Sequence, residues 1–198
     1  MADLDEMSAL RDLRTQFLAT STQAMPLAGA IVWAALGIAA LRLEPRMTAT
    51  LALYIMAAIL PLAFLLDRAR GRTLFAGGNA NPLTQLFLVS IVGIGIMVPI
   101  AILGAGGSGQ PDLLVLGMAI LAGVIWIPYG WAAGDPAGLR HAVGRAVGCY
   151  AAYALAPLPY RPSTICGVVV IAYAYSLVVM RRPHAEAPSA TSRVQSES

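Results

Sequence analysis

The chain has 198 residues, of which 58% are hydrophobic and 12% charged, with a formal net charge of +3. A soluble domain carries about 25% charged residues, so this chain has too little charge to coat a soluble globule and too much apolar content to stay disordered. The class that remains is an integral membrane protein. All 13 basic residues are arginine, which removes Schiff-base chemistry on a lysine amine. The small positive excess is no clustered basic face, so nucleic acid is not an expected partner.

Residues 1–24 read as an amphipathic cytoplasmic helix. Leu4, Met7, Leu10, Leu13 and Leu18 recur at helical spacing, with Asp3, Asp5 and Glu6 at the start and Arg11 and Arg14 later, in the order the helix dipole favours. An ordinary helix packed on the end of a bundle fits the same pattern. This acidic start differs from a signal peptide's basic flank, so the first apolar span is expected to stay in the mature protein. Six stretches then approach the roughly 20 apolar residues a crossing needs. They are 26–41, 47–66, 83–103, 113–133, 139–158 and 163–180. Pro45, Gly71, Gly77-Gly78, the uncharged loop 104–112, Gly134-Asp135-Pro136 and the proline-rich 157–162 punctuate them. The expected fold is all-α: a six-helix transmembrane domain over 25–181 behind an N-terminal interfacial helix, with a disordered polar tail over 182–198.

Six crossings would put both termini on one side. That side would hold 10 arginines, among them Arg11, Arg14, Arg68, Arg70, Arg72, Arg140 and Arg145, against Arg42, Arg46 and Arg161 opposite. The positive-inside rule then places both ends in the cytoplasm of a bacterial inner-membrane protein.

Arg145 is the sharpest chemical feature. A charged side chain inside hydrocarbon costs about 2.5–3.5 kcal/mol on insertion scales. It either snorkels to the headgroups or is buried against a partner such as Asp67 or Asp135. His141 shares its helix face and Arg140 precedes it, so the three form a candidate site for an anionic solute or for lipid headgroups. Trp126, Tyr129 and Trp131 read first as an interfacial aromatic belt and second as one wall of a pocket. Tyr150 and Tyr153, with Tyr173, Tyr175 and Ser176, would line a modestly polar interior. Thr20 to Gln23 before Pro26 read as a capping turn, or as a break at membrane depth. Pro61, Pro99 and Pro128 interrupt three spans. Gly144 and Gly148 form a small-residue ridge, serving contacts within the chain first and a homo-oligomer seam second.

Cys149 and Cys166 lie in apolar stretches and read as packing residues. No metal-ligand spacing, nucleophile elbow, phosphate loop or pair of intramembrane carboxylates is present in the sequence. No catalytic residue, metal or cofactor is therefore assigned, and an enzyme is the less favoured class.

Pro26-Leu27-Ala28-Gly29, Asn81-Pro82-Leu83 and Trp126-Ile127-Pro128-Tyr129-Gly130-Trp131 give the region 15–181 its character. In these it resembles small uncharacterised polytopic membrane proteins of high-GC bacteria, which implies the fold and no activity. A small-solute transporter or channel is the first functional expectation. A non-catalytic membrane subunit or regulator is the second, and a membrane enzyme acting on a lipid or isoprenoid the third.

Overall fold

The structure is a computed structural model that describes residues 2–71 and 80–180, with side chains from Met7 onward. The expected tail over 182–198, the turn residues Gly77 to Asn79, and Arg72 lie outside the described residues. Among the described residues the chain is helical, without strands: α1 (Ala2–Thr20), α2 (Ala24–Ala39), α3 (Pro45–Ala69), α4 (Pro82–Ser108), α5 (Asp112–Val124), α6 (Trp126–Ala133), α7 (Ala137–Leu155) and α8 (Arg161–Val179). A 3-10 turn, Leu158–Tyr160, leads into α8.

Local chemistry sets most of these boundaries. Pro45 and Pro82 open α3 and α4, where a missing N–H leaves no bond unmade. The Asn81 side chain accepts from the Leu83 N–H at 2.9 Å and caps α4. Asp135 does the same for α7, accepting from the Ala137 N–H at 2.9 Å. Gly109 and Gly134 end α4 and α6 at φ of 67° and 63°, in the left-handed region that glycine enters without strain. Thr22 accepts from the Ala24 N–H at 3.3 Å in the break between α1 and α2. The expected span 113–133 is one crossing segment whose helix is interrupted once. Pro128 cannot donate to the carbonyl four residues earlier, and the helix breaks at Ile125.

The connections alternate between two ends of the bundle. At one end α1 meets the rest: Asn81 Nδ2 donates to the Leu13 carbonyl at 2.8 Å and Thr22 Oγ1 donates to Asp67 Oδ2 at 2.7 Å. At the other end Arg161 and Asp112 form an ion pair at 3.8 Å, and the Tyr153 hydroxyl donates to Gln110 Oε1 at 2.6 Å. Helix α5 is central and touches α3, α4, α7 and α8; α2 packs between α3 and α8. Helices α3 and α4 both lean on α5 without forming a packed pair.

Four segments are long and apolar enough to cross a membrane: Pro45–Ala69, Pro82–Ser108, Asp112–Ala133 and Leu158–Val179. A fifth is the pair Met7–Thr20 and Ala24–Ala39 taken together, bent by 50°. This is a multi-pass membrane protein, and four to five of the six expected spans meet that measure of length and apolar character. The shortfall lies in α7, where Arg140, His141 and Arg145 dilute the apolar character. The side-chain distribution suits lipid. Ala24, Ala28, Ala52, Ala63 and Ala119 are buried, while Val92, Ile96, Leu103, Ile171 and Val178 face outward.

Candidate functional site

Helix α7 presents a stripe of Gly138, His141, Ala142, Arg145, Cys149 and Ala152 to its neighbours, at the three-to-four spacing of one helix face. Leu139, Val143, Val147 and Tyr150 point away from the bundle. The charged residues of α7 therefore divide. Arg140 is exposed, whereas Arg145 is 1% exposed and sits midway along the helix. It does not snorkel. Its stem runs along Gly123 of α5, where an added Cβ would come within 3.0 Å of Arg145 Cδ.

The guanidinium lies between two aromatic faces. Its central carbon is 5.0 Å from the Tyr173 ring centroid and 5.6 Å from that of Trp33, within cation–π range. Its expected acidic partners are engaged elsewhere: Asp67 accepts from Thr22 and Asp135 caps α7. Nε, Nη1 and Nη2 of Arg145 are buried without a hydrogen-bond partner. Aromatic contacts satisfy charge from the side of the ring plane, but they leave the in-plane N–H groups unmade.

His141 lies on the next turn toward the α1 end. Its Nδ1 is hydrogen-bonded to Ser176 Oγ at 2.5 Å, and its Nε2 is buried without a partner. The Trp126 ring covers it at 4.7 Å and Tyr173 meets it edge-on at 5.6 Å. The Nε1 donors of Trp126 and Trp33 are likewise buried and unpartnered. Four side chains around Tyr173, namely Trp33, Trp126, His141 and Arg145, thus carry unmet polar nitrogens. Each unmet buried donor costs about 1–3 kcal/mol. Tryptophan and arginine can only donate, so the chemistry missing from this cluster is a hydrogen-bond acceptor, best an anionic one.

Glycines make the cluster this tight. At Gly29 an added Cβ would stand 2.3 Å from Tyr173 Cζ, so the tyrosine ring lies directly on the α2 backbone. At Gly138 it would stand 2.3 Å from the Trp126 carbonyl oxygen and 2.6 Å from Gly130 Cα. This backbone contact between α6 and α7 brings Trp126 over His141.

The residues expected to form a site separate into three groups. Arg145, His141 and Trp126 come together, with Tyr173, Ser176 and the unforeseen Trp33. Tyr129 links the cluster to a neighbouring one under α1, with Trp126 at 5.4 Å on one side of the link and Phe17 and Phe87 at 5.5 and 5.7 Å on the other. Tyr153 is at the opposite end of the bundle, where Arg161 stacks on it at 4.6 Å. Tyr150 is 59% exposed and Arg140 is exposed, so neither reaches the cluster. The aromatic-belt expectation fits Trp131, which is exposed, and fails for Trp126, which is core. Of the small-residue ridge, Gly148 is taken up within the chain against Val168, and Gly144 faces open space. Both cysteines are free and buried.

Beside the cluster lies a cavity of about 420 Å³. Its walls are apolar: Met25 of α2, Met56 and Leu60 of α3, Ile94 and Gly95 of α4, and Met118 of α5. Trp126 and Tyr173 close its inner end. Tyr173 therefore touches both the cavity and the Arg145 guanidinium.

Residues 10–182 match the family of unknown function DUF7010, and the chain belongs to that family. No curated protein and no solved structure matches the chain.

Proposed function

We propose that this protein is a membrane transporter for a small anionic solute, with the Arg145 guanidinium as its binding centre. One observation carries the reading: a cation buried midway along a helix, with every N–H unmet and no carboxylate in ion-pair range among the described residues. An isolated buried charge is expensive and persists where it serves a pathway or a ligand. An incoming anion would supply the acceptor that the guanidinium lacks, in a cluster that also holds the unmet nitrogens of Trp33, Trp126 and His141. In this reading α2 and α7 also cross the bilayer, which makes six passes with both termini in the cytoplasm of a bacterial inner membrane. The low hydropathy of α7 does not oppose this, because His141 and Arg145 face protein. A channel fits less well, because the core is filled by aromatic rings rather than opened by a polar lumen.

The test is uptake into proteoliposomes of inorganic phosphate and of hexyl phosphate. At least one should enter faster than into empty vesicles, and Arg145→Met should abolish the difference. Equal uptake by the variant and the parent, or uptake no faster than into empty vesicles for both probes, contradicts the proposal. A second reading, a non-catalytic membrane subunit, is favoured by α4, whose Val89, Val92, Ile96, Ile100 and Leu103 are all exposed.

A further inference from the structure

We infer that the anion bound at Arg145 is an amphiphile, a single hydrocarbon chain with a phosphate or carboxylate head, which enters sideways from the bilayer between α3 and α4. This rests on the reading of Arg145 as an anion centre and specifies the class of molecule it takes. Three observations support it.

The first is where the cavity opens. Helices α3 and α4 each pack on α5 but not on each other, and the cavity occupies the gap between them. Its mouth is formed by Leu60 of α3 and by Ile94 and Gly95 of α4, side by side with residues such as Phe64 and Ile96 that face the lipid. A solute arriving from water would cross apolar side chains only, whereas a hydrocarbon chain arriving from lipid meets surface like its own.

The second is the lining. Ile, Leu, Met, Val, Ala and Gly make up nearly all of it. At about 420 Å³ the cavity falls in the roughly 300–1,000 Å³ range of small-molecule sites. Methionines 25, 56 and 118 contribute flexible, polarizable walls that mould to a chain without fixing its shape.

The third is what lies at the inner end. Trp126, whose indole N–H is unmet, and Tyr173, around which the unmet donors gather, both line the cavity. Ala122 lines the cavity while Gly123, its neighbour, supports the Arg145 stem. The tail site and the head site therefore share one wall, and Tyr173 is the partition. The head reaches the guanidinium when the Tyr173 ring turns aside, giving up its cation–π contact as the anion replaces it.

The experiment measures binding of dodecyl phosphate, dodecanol and inorganic phosphate to the full chain in nanodiscs, corrected for empty discs. Gly95→Leu projects into the cleft from a position where an added Cβ meets nothing within 4 Å. Ile94→Trp is the second cleft variant. The expected result is that dodecyl phosphate binds at least about tenfold more tightly than either other probe, since several buried methylenes and a charge-assisted bond each contribute that much. Both cleft variants should remove the advantage of dodecyl phosphate over inorganic phosphate. Arg145→Met should remove the advantage over dodecanol.

If Arg145→Met loses phosphate binding while the cleft variants still prefer the alkyl chain, the lateral cleft is not the tail site and only the anion centre stands. Equal affinity for dodecyl phosphate and inorganic phosphate in the parent overturns the amphiphile inference in the same way. If dodecanol binds as well as dodecyl phosphate and Arg145→Met changes nothing, the anion centre fails too.

Discussion

Arg145 is held where its charge has no counter-ion, and stability alone does not explain it. Replacing buried charge with a well-packed apolar residue of similar volume often stabilises a protein by about 1–4 kcal/mol. Arg145→Met should accordingly raise the unfolding temperature in detergent while losing anion binding. A lower unfolding temperature would mean that the cation is there to brace Trp33 and Tyr173. The glycines around the site make the opposite prediction. Gly138→Ala would drive a methyl into the Trp126 carbonyl, and overpacking of this kind typically costs about 1–3 kcal/mol. Its unfolding temperature should fall, and the near-ultraviolet circular dichroism of the tryptophans should change with it. An unchanged spectrum and melting point would show that α6 and α7 are not locked at that contact.

At the scale of the helix, lipid reverses the usual pattern, and that explains what was legible in the sequence. The spans of α3, α4, α5–α6 and α8 follow from apolar run length alone, and Asp135 as the α7 cap followed from its place after Gly134. Which face of α7 turns inward was also present in the sequence, as small and polar residues at 138, 141, 142, 145, 149 and 152. Distance from the helix end favoured snorkelling for Arg145, but helix face decides its burial, and that face points at α5 and α8. Trp33 carried no local signal, because a single aromatic within a span looks the same whether it faces lipid or protein. The docking of α1 was one of two readings of its apolar spacing, but its polar partner Asn81, distant in the chain, was hidden. Asn81→Ala removes both the α4 cap and the bond to the Leu13 carbonyl, at a cost of about 1–2 kcal/mol. Amide exchange should then rise selectively in α1. A uniform rise across the bundle, or none, would show that α1 is held by other contacts.

For the whole molecule, the alternating helix directions put Arg68, Arg70 and Arg140 at one end and Arg42, Arg46 and Arg161 at the other. In a background lacking Cys149 and Cys166, a cysteine at Arg70 should be shielded from an impermeant reagent in intact cells, and one at Leu158 should be labelled. Labelling of both, or of Arg70→Cys alone, would overturn the proposed orientation. The central claim is that a buried arginine in the helix core of this DUF7010 protein holds an anion. Solid-state NMR of arginine-labelled protein in bilayers, with dodecyl phosphate added, measures dipolar coupling between phosphorus and guanidinium nitrogen most directly. Coupling that is strong in the parent and disappears in Arg145→Met is the expected result. Coupling that is absent, or that survives the substitution at full strength, would contradict it.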